Sequence, residues 1–282
     1  MRPIIVLLFL GVSLSNAADA PLRALLICGG CCHDYAKQSV ILRDGIQARA
    51  NIKVDVVLSS DSSTKPYFPM YENKDWAKGY DVVIHDECAA EIKDMPYVQN
   101  IVDAHKNGVP AVNLHCAMHC YRTGTDLWFA YLGLQSSGHG WKKPIDIDFT
   151  AAEHPITKGF ANWTTIDEEL YNNVKIFDTA KPVVMGSQIQ QKGNKDTNVV
   201  AWTNDYHGTR IFSTTLGHQN ETVSDERYLN FIVRGVLWSC DKLNPTYLKP
   251  YAGPNGKFET IPAKAAAPTP APGAEADPVK KK

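Results

Sequence analysis

The chain has 282 residues, 44% of them hydrophobic, enough for one sizeable core. Lys and Arg number 29 against 30 Asp and Glu, a formal net charge of -1. That balance argues against the basic face a nucleic-acid partner needs, and it suits a protein acting on small neutral molecules.

Met1 to Ala20 has the pattern of an export signal. Arg2 supplies the positive start, Ile4 to Leu14 an apolar core too short for a permanent anchor, and Ser15 to Ala20 a small-residue cleavage region. This predicts an exported protein, periplasmic or secreted, with no membrane association after the signal is removed.

Arg23 to Cys28 reads as a buried strand running into the permissive pair Gly29-Gly30. Ser39 to Ala50 follows with helical spacing, Lys53 to Leu58 as a second strand, and 59 to 71 as a polar connection. Asp81 to His85 is a third strand. Met95 to Asn107 is a helix stopped by Gly108, and Val109 to His115 is a fourth strand. Alternation of this kind predicts a flavodoxin-like three-layer α/β fold around a mostly parallel central sheet.

The second half adds β structure. Ile145 to Thr150, Val183 to Gln188, Val199 to Trp202 and Arg210 to Thr215 read as strands, and Phe231 to Trp238 as a closing helix. One domain over 21–245 is expected, followed over 246–282 by an extended, disordered tail rich in Ala, Pro and Lys.

In parallel sheets, functional groups gather outside the carboxyl ends of the strands. Here those ends carry Cys31-Cys32-His33-Asp34, His85-Asp86-Glu87 and His115-Cys116. Repeated His is unlike an ordinary solvated loop. The seven cysteines leave at least one unpaired within the chain. Vicinal Cys31 and Cys32 are poor partners, and Cys116 and Cys120, at helical spacing, seldom bridge. No connectivity follows from the sequence.

Asn113 to Cys120 is the densest candidate site. A strand turning into a helix at Cys116 is where an elbow nucleophile would stand, with His119 as its base. Bulky Leu114 and Met118, however, occupy the places where such elbows carry glycine, so an unreactive Cys116 is the better reading.

Several segments together resemble the trehalose-utilisation (ThuA-like) family. These are Val112 to Ala117 after a strand, His154-Pro155-Ile156-Thr157 with Gly159, and Glu169-Leu170-Tyr171. Ala201-Trp202-Thr203, Tyr206 to Phe212, Thr215-Leu216-Gly217-His218 and Arg234-Gly235 with Trp238 complete the series. Glu168 stands where the family usually has Asp, and His207 where a small residue is usual. The resemblance implies a fold related to class I glutamine amidotransferases and a link to sugar metabolism.

By the same comparison, His33, His115, His139 and His218 fall where strand ends converge. They would hold a divalent metal, zinc favoured, that polarises a carbonyl or activates water. Each alone is equally readable as a hydrogen-bonded structural group, and no HExxH spacing is present. Glu87 would complete the site or act as its general base. Glu169 and Tyr171 would supply acid, base or hydroxyl contacts, with His115 as a further catalytic group. A solvated helix start is the plainer reading of Asp167 to Glu169.

His154 and Trp202 are candidate substrate contacts, although His-Pro also opens a loop and tryptophans often serve the core. No Gly-x-Gly-x-x-Gly follows the first strand, so no nucleotide cofactor is expected. The favoured function is hydrolysis, elimination or isomerisation of a small carbohydrate or oxidised sugar. A non-catalytic sugar- or metal-binding protein and a Cys-dependent amidohydrolase are the alternatives. The sequence is compatible with a homo-oligomer and fixes no oligomeric state.

Overall fold

The computed structural model describes residues 19–190 and 193–251. The export segment apart from Asp19 and Ala20, and the tail beyond Tyr251, lie outside the described residues.

The chain begins with strand β1 (Leu22–Gly30), helix α1 (Tyr35–Arg49) and β2 (Ile52–Leu58). After a 3-10 turn at Pro69–Glu72 come β3 (Val82–Cys88), α2 (Met95–Lys106) and β4 (Ala111–Leu114). A second 3-10 turn, His115–His119, leads to α3 (Leu127–Leu132) and β5 (Leu134–Gln135). Then follow β6 (Lys143–Asp148), β7 (Trp163–Glu168), β8 (Lys175–Ile176) and β9 (Ala180–Ile189). The fold closes with β10 (Lys195–Tyr206), β11 (Thr209–Thr214), α4 (Asn220–Val223) and α5 (Glu226–Ser239). Among the described residues, no helix is long and apolar enough to cross a membrane.

One nine-stranded sheet runs β2-β1-β3-β4-β11-β10-β9-β6-β7. The first five strands are parallel, and β10, β9, β6 and β7 extend the sheet antiparallel. This is the expected flavodoxin-like α/β arrangement with antiparallel additions. β1 shows why it is a three-layer fold. Ala24, Leu26 and Cys28 enter the core shared with α1 and α5, while Leu25 and Ile27 enter the core shared with α2 and α3.

Two local devices fix the layers. Asp34 caps α1, its carboxylate accepting from the Lys37 amide at 3.2 Å, so the helix starts earlier than its apolar spacing indicates. In the β10–β11 hairpin, His207 and Gly208 both have positive φ, 55° and 87°, as a type I′ turn requires.

The structure corrects two local expectations. The segment after β4 is a five-residue 3-10 turn that ends in extended Cys120. It is not an α-helix, so Cys116 gains no helix amino terminus. Asp167 to Glu169 are not a solvated helix start. Asp167 and Glu168 close strand β7, Glu169 directly follows it, and Glu168 and Glu169 are buried.

Candidate functional site

Three parallel strands deliver three imidazoles to one place. His33 follows β1, His115 follows β4, and His218 follows β11. β4 and β11 pair so that Leu114 lies opposite Thr214, which sets His115 beside Thr215. The ring nitrogens of His33, His115 and His218 include one atom each that lies within 4.8 Å of the others. His33 packs edge-on to both partners, with ring centroids 4.8 Å from His115 and 4.7 Å from His218.

Backbone carbonyls orient these rings. His115 Nδ1 is 2.6 Å from the Thr215 carbonyl, and His33 Nδ1 is 3.4 Å from the His218 carbonyl. A carbonyl can only accept, so both Nδ1 atoms are assigned the proton; neutral His33 keeps a lone pair on Nε2, whereas His115 Nε2 faces the Glu169 carboxylate. Gln38 also donates to the His218 carbonyl at 3.0 Å. His218 Nδ1 is buried without a well-formed hydrogen bond, although Glu169 Oε1 lies 3.4 Å away.

Glu169 is the hub. Its carboxylate is 3.4 Å from each of His115 Nε2, His139 Nε2, His218 Nδ1 and Lys142 Nζ. Burial works against its charge, but the close contacts with His115 and His218 outweigh that, and its carboxyl is held well below the usual range. His115 responds in kind. Burial opposes its charged form, yet the hydrogen bond and charge of Glu169 raise its pKa. At His33 burial is not offset by the charge of Glu169 and the hydrogen bond to the His218 carbonyl. Burial, then the neighbouring His115 and His218, lower it to about 2, so it stays neutral.

Glu168, wholly buried, accepts from the backbone N–H groups of His218 and Gln219, each at 3.2 Å. It thereby fixes the loop that carries His218. The Tyr171 hydroxyl lies 3.2 Å from His115 Nε2. Its ring is stacked between His119, at 4.1 Å, and His139, at 5.7 Å. Burial holds His119 well below the ordinary imidazole range, and its Nε2 faces Ser136 at 2.9 Å. An open cleft of about 400 Å³, lined by Cys32, His33, Asp34, His218, Gln219 and Asn220, borders the cluster.

Of the candidates from the sequence, His33, His115, His139, His218, Glu169 and Tyr171 are thus brought together. Glu87, His154 and Trp202 are placed elsewhere. Glu87 faces the opposite side of the sheet, where it accepts from Tyr121 at 2.9 Å and Tyr71 at 3.1 Å and faces His85 Nδ1 at 2.9 Å. Its neighbour Asp86, one residue out of phase, points towards the His115 side. Burial pushes Asp86 up to about 8, partly offset by the charge of His115. His154 packs against Trp238 and accepts from the Ile156 amide. Trp202 is fully buried and donates to the Leu132 carbonyl at 2.7 Å.

Lys142 was not singled out by sequence. Its Nζ lies 2.7 Å from His218 Nε2, and no pattern around Lys142 announces that contact. The cysteines pair as Cys31–Cys32 and Cys88–Cys116. The vicinal pair, unexpected from sequence, forms where Cys32 takes a positive φ of 82°.

The chain matches the ThuA family, described as trehalose utilisation, over residues 23–239, and it belongs to that family. This points to a carbohydrate-related role. No curated protein sequence matches it.

Among solved structures, a ThuA-like protein from Parabacteroides merdae superposes with a TM-score of 0.64 at 19% identity, covering 78% of this chain and 90% of that one. A ThuA-like protein from Bacteroides uniformis gives 0.60 at 16% identity, covering 80% and 94%. A cytoplasmic protein from Salmonella typhimurium gives 0.53 at 14%, covering 77% and 99%. These likenesses establish the fold.

Proposed function

We propose that this ThuA-family protein is exported and binds a divalent cation, zinc favoured, through His33, His115 and His218 for acid–base chemistry on a sugar or oxidised sugar. The observation that carries this reading is the convergence of three imidazoles within 4.8 Å beside one buried carboxylate.

The donor set suits the cation. His33 and His115 hold their protons on Nδ1 against carbonyls, the usual arrangement behind a metal-binding histidine; His33 keeps Nε2 bare, and His115 would ligate through Nε2 once the proton facing Glu169 has left. His218 is the third residue of the cluster; its Nδ1 lies 3.4 Å from Glu169 Oε1 and its Nε2 faces Lys142 Nζ at 2.7 Å, a contact the cation would displace. Neutral His33 needs no deprotonation before it ligates. A bound cation would supply Lewis-acid polarisation and a more acidic water.

The chain's own groups would do the rest. Glu169, held ionised, would anchor His115 and His218 and balance the charge of the site, and Tyr171 orients His115. Asp34, Gln219 and Asn220 line the cleft with the mixed donors and acceptors that sugar hydroxyls require. Hydrolysis, elimination and isomerisation all use these roles. Cys116 is bonded to Cys88, which leaves it no free thiol for amidohydrolase chemistry. Two disulfides, together with the amino-terminal pattern of Met1 to Ala20, support export to an oxidising compartment.

Elemental analysis of the purified mature protein beside His115→Ala and His218→Ala variants tests the proposal. Near-stoichiometric metal, lost in both variants, is expected. Failure to take up metal after loading with zinc and manganese overturns it. That outcome favours a second reading, in which Lys142, 2.7 Å from His218 Nε2, is the resident cation of a metal-free acid–base or sugar-binding site.

A further inference from the structure

Four sulfurs gather beside the histidine cluster, at the carboxyl ends of β1, β3 and β4. Cys31 and Cys32 form one disulfide, and Cys88 and Cys116 form the other. The two bonds touch, since Cys31 Sγ lies 3.5 Å from Cys88 Sγ.

The backbone produces this contact. Gly30 pairs with Cys88 across β1 and β3 and has a φ of 103°. A Cβ at position 30 would stand 2.2 Å from the Cys88 carbonyl oxygen, so only glycine lets the strand end lie this close. The disulfides differ in access. Cys32 is exposed and lines the open cleft, and Cys31 is half-buried. Cys88 and Cys116 are only 4% and 6% exposed. A reductant in the cleft meets the first bond, and Cys31 touches the second.

We propose that these cysteines form a thiol–disulfide exchange relay, carrying electrons from an external dithiol to the buried Cys88–Cys116 bond. The dithiol reduces Cys31–Cys32 by two electrons and is itself oxidised to a disulfide. The Cys31 thiolate then attacks Cys88 Sγ. A Cys31–Cys88 bond forms, the Cys88–Cys116 bond breaks, and the electron pair leaves on Cys116 sulfur, which takes a proton from water. The Cys32 thiolate next attacks Cys31, restoring Cys31–Cys32 and releasing Cys88 as a thiol. The net change is one dithiol oxidised and Cys88–Cys116 reduced.

His33 directly follows Cys32, and His115 directly precedes Cys116. The relay therefore acts on the two loops that carry these imidazoles, and it operates with or without a metal.

Two experiments test it, with dithiothreitol as the dithiol. In Cys32→Ser the resolving thiol is gone, so peptide mapping should find Cys31 linked to Cys88 and Cys116 open to alkylation. Retention of Cys88–Cys116 with Cys31 alkylated would overturn the relay. In the wild-type protein, acid quenching during native reduction should capture the same Cys31–Cys88 link before all four thiols appear. Reduction of Cys88–Cys116 without that intermediate, or no reduction of it in the native state, equally overturns the proposal.

Discussion

Replacing Glu169 by Gln removes the one carboxylate that four nitrogen groups share. His115, His139, His218 and Lys142 each approach it to 3.4 Å, and its side chain is 7% exposed. At that distance, with an effective dielectric constant near 20, a single unit-charge pair is worth about 5 kcal/mol. Desolvation offsets part of this, and loss of one partner of a buried pair typically costs about 3–5 kcal/mol. Taking roughly 3 kcal/mol, and about 2–4 °C per kcal/mol for a domain of this size, Tm should fall by about 6–12 °C.

The pH dependence follows from the two shifts. The folded pKa of Glu169 is lowered, so its stabilisation is present above the ordinary carboxylate pKa and is lost as pH falls. The folded pKa of His115 is raised, so its contribution is complete below the ordinary imidazole pKa and is lost as pH rises through the folded value. The difference between wild type and variant should therefore be greatest between about pH 4.5 and 6.5. Thermal denaturation of the chelator-treated protein from pH 4 to 8 measures it. A variant as stable as the wild type throughout that window would refute the shared-carboxylate account.

Lys142→Met should tighten zinc binding roughly tenfold, about 1.4 kcal/mol, because the rival cation beside His218 Nε2 is removed; calorimetric titration reads this. Asp86→Asn should stabilise the fold near neutral pH. A buried carboxyl raised to about 8 holds its proton in the folded state, so stability falls as pH rises from about 4 to about 8. The gain at pH 7 is at most about 4 kcal/mol, measured by urea unfolding at pH 5 and pH 7. Gly235→Ala should destabilise by about 1–3 kcal/mol in the same assay. A Cβ there meets the Phe212 ring at 2.1 Å, where α5 lies on β11.

The parallel half of the fold was legible because buried strands and amphipathic helices alternate there, and that topology dictates where strand ends meet. That alternation marked the strand ends that carry His33 and His115, and the family resemblance added His139 and His218 to them. The antiparallel half was less legible. β7 carries Trp163 and Glu168 without clean alternation, so its acidic end resembled a helix start.

Choosing between Asp86 and Glu87 needed the sheet's facing. Their side chains point to opposite layers, and the sequence marks neither as the histidine side. Lys142 reaches His218 across 76 positions, from a segment with no periodic signal. The contact of Cys31 with Cys88 depended on the Gly30–Cys88 register between β1 and β3, which spacing along the chain does not encode.

X-ray absorption at the zinc edge, on protein loaded with one equivalent, tests the central claim most directly. The account predicts a first shell of nitrogen or oxygen at about 2.0–2.1 Å with the multiple-scattering pattern of imidazole. Sulfur at about 2.3 Å would move the metal to the cysteines, and a purely aqueous shell would remove it from the protein; either would contradict the histidine site.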